Sequence, residues 1–209
     1  QLSKHTGGKR RGCGSFDDAA AAVEAGAALI GTTLSGSTGE RPKTDGPDLE
    51  LIEQIATGNT PHPGSGATWE ANGTQYGATV HAGEGLITIW DLSTNEIAAR
   101  IETGGPGLFV RAHPESPYVW ADSMFADQPN RIYIFDKSTF EIVHVIEEGV
   151  QTLHPEFTAD GQYVYVSDWQ GNVVRVYDAL TFEKVAEIDG VTTPTGIFNT
   201  ERRLETLGH

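Results

Sequence analysis

The stretch RIYIFDKSTFEIVHVIEEG, residues 131–149, decides the fold, because two alternating apolar segments flank a short polar turn. Its apolar side chains recur at every second position, which is the period of a β-strand. Closely similar phrases occupy residues 86–104 and 173–190. The aspartates that follow their first strands, 45 and 42 residues apart, are Asp91, Asp136 and Asp178. A repeat of this length with several short strands predicts the blades of a β-propeller.

The stretches between these phrases supply the remaining strands of each blade. PYVWADS and QYVYVSD alternate in the same way, and Asp160-Gly161 is a favourable hairpin turn. Three to four blades do not close a ring, so we expect this portion to belong to a larger disc. The alternating core is expected to include Ile87, Ile89, Ile132, Ile134, Val174 and Val176.

The first part of the chain has a different pattern. SFDDAAAAVEAG predicts a helix, with Ser15 as a possible N-cap and Gly26 as its end, and AALIGTT predicts a short strand. PDLELIEQIA predicts a second helix that begins at Pro47. The expected organisation is therefore an α/β segment over 1–56 and a mainly β partial propeller over 57–209.

Composition excludes several classes of function. The net charge of −15 argues against nucleic-acid binding, because phosphate neutralisation needs a cationic surface. Cys13 is the single cysteine, which excludes a disulfide framework and a cysteine-built zinc site, and we assign no metal ligand. No apolar run reaches membrane-spanning length, and no secretory signal is visible.

The segment TPHPGSGA places His62 between two prolines and ahead of Gly64. The prolines fix φ on both sides, and the glycines allow close approach of the backbone to a flat surface. Such a loop presents an imidazole with little freedom. An exposed loop histidine and a functional histidine are both compatible with this pattern.

Six motifs of the second part resemble the heme d1 propeller of cytochrome cd1 nitrite reductases and of their relatives in heme d1 maturation. They occur in the family's order and are TPHPGSGA (60–67), GLFVRAHPES (107–116), VWADSMF (119–125), HPEF (154–157), SDWQG (167–171) and TPTGIFN (193–199). The resemblance implies an eight-bladed propeller that holds heme d1 on its axis, and a periplasmic location.

The resemblance also implies roles for individual residues. His62 matches a distal histidine that, as a cationic general acid, donates protons to nitrite on the heme iron. The implied cofactor-binding residues are Gly64, Arg111, His113, Phe125, His154, Trp169 and Gly196.

Several of these assignments have structural alternatives. Phe125 and Trp169 could equally be blade core, and Gly196 could be a plain turn glycine. Arg111 could pair with a heme carboxylate or be a solvated surface arginine, and His113 could have a structural role.

Departures from the family pattern bear on which activity to expect. The region that carries the proximal iron ligand in the family does not occur in this sequence. Ser65 stands where nitrite reductases tend to have arginine, and His154 where we expect glutamine. Both departures favour the maturation relatives, which oxidise or carry a heme d1 precursor. The implied partners are thus nitrite or a heme d1 precursor, with an electron-donor cytochrome.

Two further functions are compatible with the sequence. Propeller blades often serve only as interaction scaffolds. Residues 12–56 are similar to a segment of N-acetylmannosamine-6-phosphate 2-epimerase, a TIM barrel, chiefly through GTTLSG and GPDLEL. That segment lacks the family's acid and base partners, so the alternative it supports is an epimerase remnant.

Overall fold

The structure, a computed structural model, describes residues 55–62 and 65–196. The chain divides into two compact units, Gln1–Gln54 and Ile55–His209, and every described residue belongs to the second. Within the described ranges the chain forms twelve strands and no helix. The helices and the strand predicted in the first 54 residues lie outside the described residues.

The twelve strands form three four-stranded antiparallel sheets, each built from consecutive strands. The first comprises β1 (Ala67–Ala71), β2 (Thr74–Val80), β3 (Leu86–Asp91) and β4 (Ile97–Glu102). The second comprises β5 (Val110–Ala112), β6 (Tyr118–Asp122), β7 (Arg131–Asp136) and β8 (Ile142–Glu147). The third comprises β9 (Thr152–Phe157), β10 (Tyr163–Asp168), β11 (Val173–Asp178) and β12 (Lys184–Ile188). First strands of successive sheets are in contact, so β1, β5 and β9 line the inside of the array. The prediction of a partial β-propeller is confirmed.

The repeated aspartate forms the turn between the third and fourth strands of each blade. In the second blade, Asp136 Oδ1 accepts hydrogen bonds from the Ser138 amide (2.8 Å) and hydroxyl (2.6 Å). The N–H of Phe140 then donates to the Asp136 carbonyl at 2.9 Å. The residue four positions after each aspartate has a positive φ of about 60° and is Asn95, Phe140 or Phe182. Because all three blades use the same turn geometry, the same sequence pattern recurs in each of them.

Two of these turn residues also connect neighbouring blades. Phe140 packs edge-on against Tyr76 of the first blade at 5.1 Å between ring centroids. Phe182 packs in the same way against Tyr118 of the second blade at 5.0 Å. A phenylalanine rarely adopts a left-handed backbone, and this packing offsets the conformational cost.

The blade core is buried on both faces of the middle sheet. All six residues predicted for the core are buried, which confirms that prediction. However, Tyr133 and Phe135 on the other face of β7 are also buried. Phe135 packs in the cluster with the first blade, and Ile134 packs in the cluster with the third. The strand is therefore apolar almost throughout rather than strictly alternating.

Replacing Ile134 with alanine should lower the free energy of unfolding by about 2–5 kcal/mol, because its fully buried side chain would leave a cavity. The matched control is Val143→Ala in the neighbouring strand, where the side chain is 45% exposed and the loss should stay within about 0.5 kcal/mol. Urea unfolding followed by circular dichroism measures both. Equal losses for the two variants would contradict the assignment of Ile134 to the core.

Candidate functional site

One end of the three blades gathers four of the eight residues that the sequence singled out. Loops that precede the first strands and turns that follow the second strands meet there, and hydrogen bonds link adjacent blades. Gly107 N–H donates to the His81 carbonyl at 3.0 Å, and Thr152 N–H donates to the Pro129 carbonyl at 2.9 Å. We call this the upper end; its described segments are 57–62, 81–85, 103–109, 123–130, 148–151, 169–172 and 189–196.

The predicted site residues divide between the two ends. His62, Phe125, Trp169 and Gly196 lie at the upper end, Arg111 and His154 lie in the inner strands β5 and β9, and Gly64 lies outside the described residues.

His113 lies at the opposite end of the blades from this group. Its Nε2 is 3.1 Å from the Ala159 carbonyl, and its Nδ1 accepts from the Glu115 amide at 3.2 Å. The ring packs at 5.6 Å from Phe157. The structure therefore does not bring His113 together with the other predicted residues, and its contacts are those of a residue that joins two turns.

A row of three rings forms beside the inner strands. The His62 ring meets Phe109 edge-on at 5.7 Å between centroids. Phe109 in turn stacks flat on His154, with centroids 4.1 Å apart and an angle of 6° between planes. Sequence reasoning missed Phe109, although it lies inside the motif GLFVRAHPES. The position of Phe109 directly before an inner strand could have identified it as a candidate site residue.

Arg111 is buried between blades two and three, so the alternative of a solvated surface arginine is wrong. Its Nε donates to Glu156 Oε2 at 2.9 Å, and a terminal nitrogen lies 3.2 Å from His154 Nε2. Glu156 is itself buried. Arg111 can be buried because β5 lies beside β9, which places the Glu156 carboxylate opposite the Arg111 guanidinium. Sequence reasoning missed Glu156, which lies in the motif HPEF.

The environment of His62 favours its neutral form. Its backbone N–H donates to the Val80 carbonyl at 2.9 Å, and its buried Nδ1 has no hydrogen-bond partner among the described residues. Burial lowers the pKa of His62, the Leu108 carbonyl partly opposes this, and the Arg111 guanidinium lowers the pKa further. A neutral imidazole accepts a proton, whereas the sequence-based expectation was a cationic acid.

Asp122, at the end of β6, fixes the position of the stacked pair. Its Oδ1 accepts from the amides of Leu108 (2.7 Å) and Phe109 (3.3 Å), and its Oδ2 accepts from the His154 amide at 2.9 Å. Burial raises the pKa of Asp122 to about 6, and these hydrogen bonds and the charge of Arg111 limit the rise. One carboxylate therefore joins two blades at the ring stack.

The third blade contains the same device. Asp168, at the end of β10, accepts from the amides of Val150 (3.1 Å) and Gln151 (3.0 Å), which precede β9. It also accepts from Arg175 at 2.7 Å. Desolvation opposes ionisation of Asp168, but these donors hold its pKa below the ordinary value. Asp168 thus fixes a loop in the same way without contacting the ring stack.

The upper end presents aromatic side chains at its surface. The Phe125 side chain is 52% exposed, the Trp169 side chain is half-buried, and their amides are fixed to the carbonyls of Pro106 (3.0 Å) and Gln151 (2.8 Å). Flat aromatic surfaces are the features that a flat conjugated ligand would use. Within the described ranges, no group of three or more His, Cys, Asp or Glu could hold a metal ion.

The pKa of His62 should lie below the value of about 6.5 that is usual for an unperturbed histidine. Because the unfolded state then binds the proton more readily, His62 should reduce folding stability as the pH falls through about 6.5. An NMR titration of the imidazole C–H signals measures the pKa, with the same chain in urea as the control. Titration at or above the value in urea would contradict burial as the dominant effect.

Asp122→Asn should disturb the ring row, because the side-chain NH₂ group of asparagine cannot accept from a backbone amide. Asp168→Asn is the matched control. Each variant should lose about 1–3 kcal/mol of stability. Only Asp122→Asn should also shift the NMR ring signals of His62, Phe109 and His154. Similar ring shifts in both variants would show that Asp122 has no special role in positioning the rings.

Comparison with known proteins agrees with this architecture. Residues 45–203, well over half of the chain, match the family described as Cytochrome D1 heme domain. The dihydro-heme d1 dehydrogenase of Pseudomonas aeruginosa is 32% identical over 179 residues, which are 84% of this chain and 36% of that protein. The nitrite reductase of Stutzerimonas stutzeri is 27% identical, with 72% of this chain and 33% of the relative covered. The chain therefore spans about a third of the length of these relatives.

A putative N-acetylmannosamine-6-phosphate 2-epimerase of Cutibacterium acnes is 72% identical, but over only 43 residues, or 21% of this chain. A solved structure of dihydro-heme d1 dehydrogenase NirN in complex with DHE superposes with a TM-score of 0.69 at 33% identity. It covers 73% of this chain and 33% of the solved chain. By its repeated blades, its motifs and its match over residues 45–203, the chain belongs to the cytochrome D1 heme domain family.

Proposed function

We propose that the upper end binds heme d1 or a dihydro-heme d1 precursor. The observation that carries this proposal is the ring row of His62, Phe109 and His154 at the same end as Phe125 and Trp169. Phe125 and Trp169 would pack against the macrocycle, and Gly196 would allow the backbone to approach it. The bound group would supply a redox-active iron and an extended conjugated ring.

His62 would act as the proton acceptor of this site. Its Nδ1 is buried and without a partner in the described part of the chain, and its lowered pKa keeps the ring neutral near pH 7. Three positions further along, the buried residue Ser65 donates its hydroxyl hydrogen to the Leu108 carbonyl. A neutral imidazole whose main chain is held by the Val80 carbonyl can act as a proton acceptor.

Dehydrogenation of a dihydro-heme d1 precursor is the reaction that these residues support best. Oxidation of such a precursor releases protons, which a neutral His62 can accept, and electrons, which an electron-transfer partner must take up. Nitrite is an anion and would benefit from a cation, but Arg111 is paired with Glu156 and position 65 carries serine. The greater coverage by the dehydrogenase relative also supports this reaction.

Nitrite reduction is the second candidate, supported by the similarity to the nitrite reductase of Stutzerimonas stutzeri. It would require an electron-donor cytochrome and a protonated His62. Both candidates place the protein in the periplasm by the family resemblance. The described part of the chain contains no helix that is long and apolar enough to cross a membrane.

Dihydro-heme d1 should change its absorption spectrum when titrated with the purified chain. Phe125→Ala and Trp169→Ala should each weaken binding about 2–10-fold, the equivalent of about 0.5–1.5 kcal/mol for an aromatic contact. The matched control is Tyr163→Ala, because Tyr163 is a 38% exposed aromatic residue at the opposite end of β10. An unchanged spectrum, or equal weakening by Tyr163→Ala, would overturn the proposed site.

The same samples can be used to distinguish the two candidate reactions. With an added one-electron acceptor, conversion of dihydro-heme d1 to heme d1 supports the dehydrogenase. Nitric oxide release from nitrite after reduction of bound heme d1 supports the reductase instead.

A further inference from the structure

The contact between Arg111 and His154 determines where His154 carries its proton. A guanidinium group has five N–H donors and no acceptor, and it stays protonated in proteins. One of its terminal nitrogens lies 3.2 Å from His154 Nε2, within hydrogen-bond distance. The arginine must donate, so Nε2 must accept with its lone pair. A neutral imidazole that accepts at Nε2 carries its hydrogen on Nδ1.

Glu156 keeps this arrangement in place. Its Oε2 binds Arg111 Nε at 2.9 Å but lies 3.7 Å from His154 Nε2, which is too long for a hydrogen bond. A proton on Nε2 would therefore lose the arginine contact without gaining a good bond to the carboxylate. Arg111, His154 and Glu156 are all buried, so solvent does not readily provide a replacement partner.

The His154 ring is also fixed in orientation. It stacks on Phe109 at 4.1 Å, and its amide is bound by Asp122 at 2.9 Å. Its φ of 54° is unusual for a strand residue and turns this part of β9 out of regular geometry. The Nδ1 edge lies against Gly196, where an added methyl group would overlap the nitrogen. The hydrogen-bearing edge of the ring therefore faces the 193–196 segment.

We infer that Arg111 and Glu156 hold His154 as the neutral Nδ1–H tautomer, which makes it a fixed hydrogen-bond donor rather than a base. Arg111 is then a positioning residue that acts through His154. The two histidines of the ring row consequently have different roles, since His62 accepts a proton and His154 donates a hydrogen bond. The resemblance places glutamine at position 154 in nitrite reductases, and a locked histidine provides a donor as the glutamine amide does.

The ligand side of this inference rests on the proposed function. An acceptor oxygen on the rim of a bound ring would meet this N–H only if the 193–196 segment moved aside, because Nδ1 is buried against Gly196. The tautomer itself depends only on the contacts between residues of this chain.

Histidine-labelled ¹⁵N NMR of the full chain tests the inference without any heme. Long-range ¹H–¹⁵N correlations at pH 7 should show His154 protonated at Nδ1 and unprotonated at Nε2, with no second proton gained between about pH 5 and 8. A hydrogen on Nε2, or on both nitrogens, in the unaltered chain would overturn the inference.

Arg111→Met should release Nε2 beside the remaining carboxylate, so that His154 gains a second proton and titrates at a higher pH than in the unaltered chain. Because this variant leaves a buried charge and could fail to fold, Arg111→Met with Glu156→Met provides a second test. In this double variant, His154 should lose its preference for the Nδ1–H tautomer without a rise in its pKa. An unchanged tautomer in either variant would overturn the role of Arg111.

Arg175→Met is the matched control, because it removes another partly buried arginine, paired with Asp168 at 2.7 Å in the same blade. It should leave the His154 signals unchanged. A separate titration with dihydro-heme d1 distinguishes this inference from the proposed function. No binding to a chain that shows the expected tautomer would overturn the function but not the inference.

Discussion

The buried carboxylate of Asp122 determines how the upper end is built, because it binds main-chain donors from two blades at one point. Leu108 and Phe109 belong to the loop before β5, while His154 belongs to β9. Burying the charge is unfavourable and raises the pKa of Asp122, and three N–H donors partly offset that cost. Asp168 fixes the loop before β9 in a similar way, with donors from the third blade alone. The ring stack is therefore held by the same kind of carboxylate contact that fixes a loop in the third blade.

The blade architecture could be predicted because each blade repeats its turn chemistry in the sequence. Asp160-Gly161 does form a hairpin turn, with a φ of 70° at the glycine. The left-handed conformation of Phe140 and Phe182 could not be predicted, since phenylalanine disfavours that region. It follows from packing against tyrosines of the preceding blade, which are more than sixty residues away in the chain. Local propensity carries no information about a contact of that range.

The candidate site could be predicted only in part. Of the eight residues that the motifs singled out, four lie at the upper end of the blades. Arg111 was ambiguous, because its partner Glu156 is 45 residues further along and faces it only because β5 packs beside β9. His113 shares a motif with Phe109, yet β5 carries it to the opposite end. Spacing along one strand thus decides which residues of a single motif can meet a ligand.

Two imidazoles on either side of one phenylalanine differ in proton chemistry because their neighbours differ. His62 has a buried Nδ1 and a lowered pKa, and the charge of Arg111 acts on it from a distance. The same arginine contacts His154 directly and uses up the nitrogen that could otherwise take a proton. A single guanidinium, neutralised by Glu156, can therefore favour a neutral acceptor on one side of Phe109 and a fixed donor on the other. In enzymes generally, the surroundings of two titratable groups determine which one acts as the acid and which as the base. In this protein the division depends on the packing of β5 beside β9, so the protonation of the two imidazoles is tied to the arrangement of the blades.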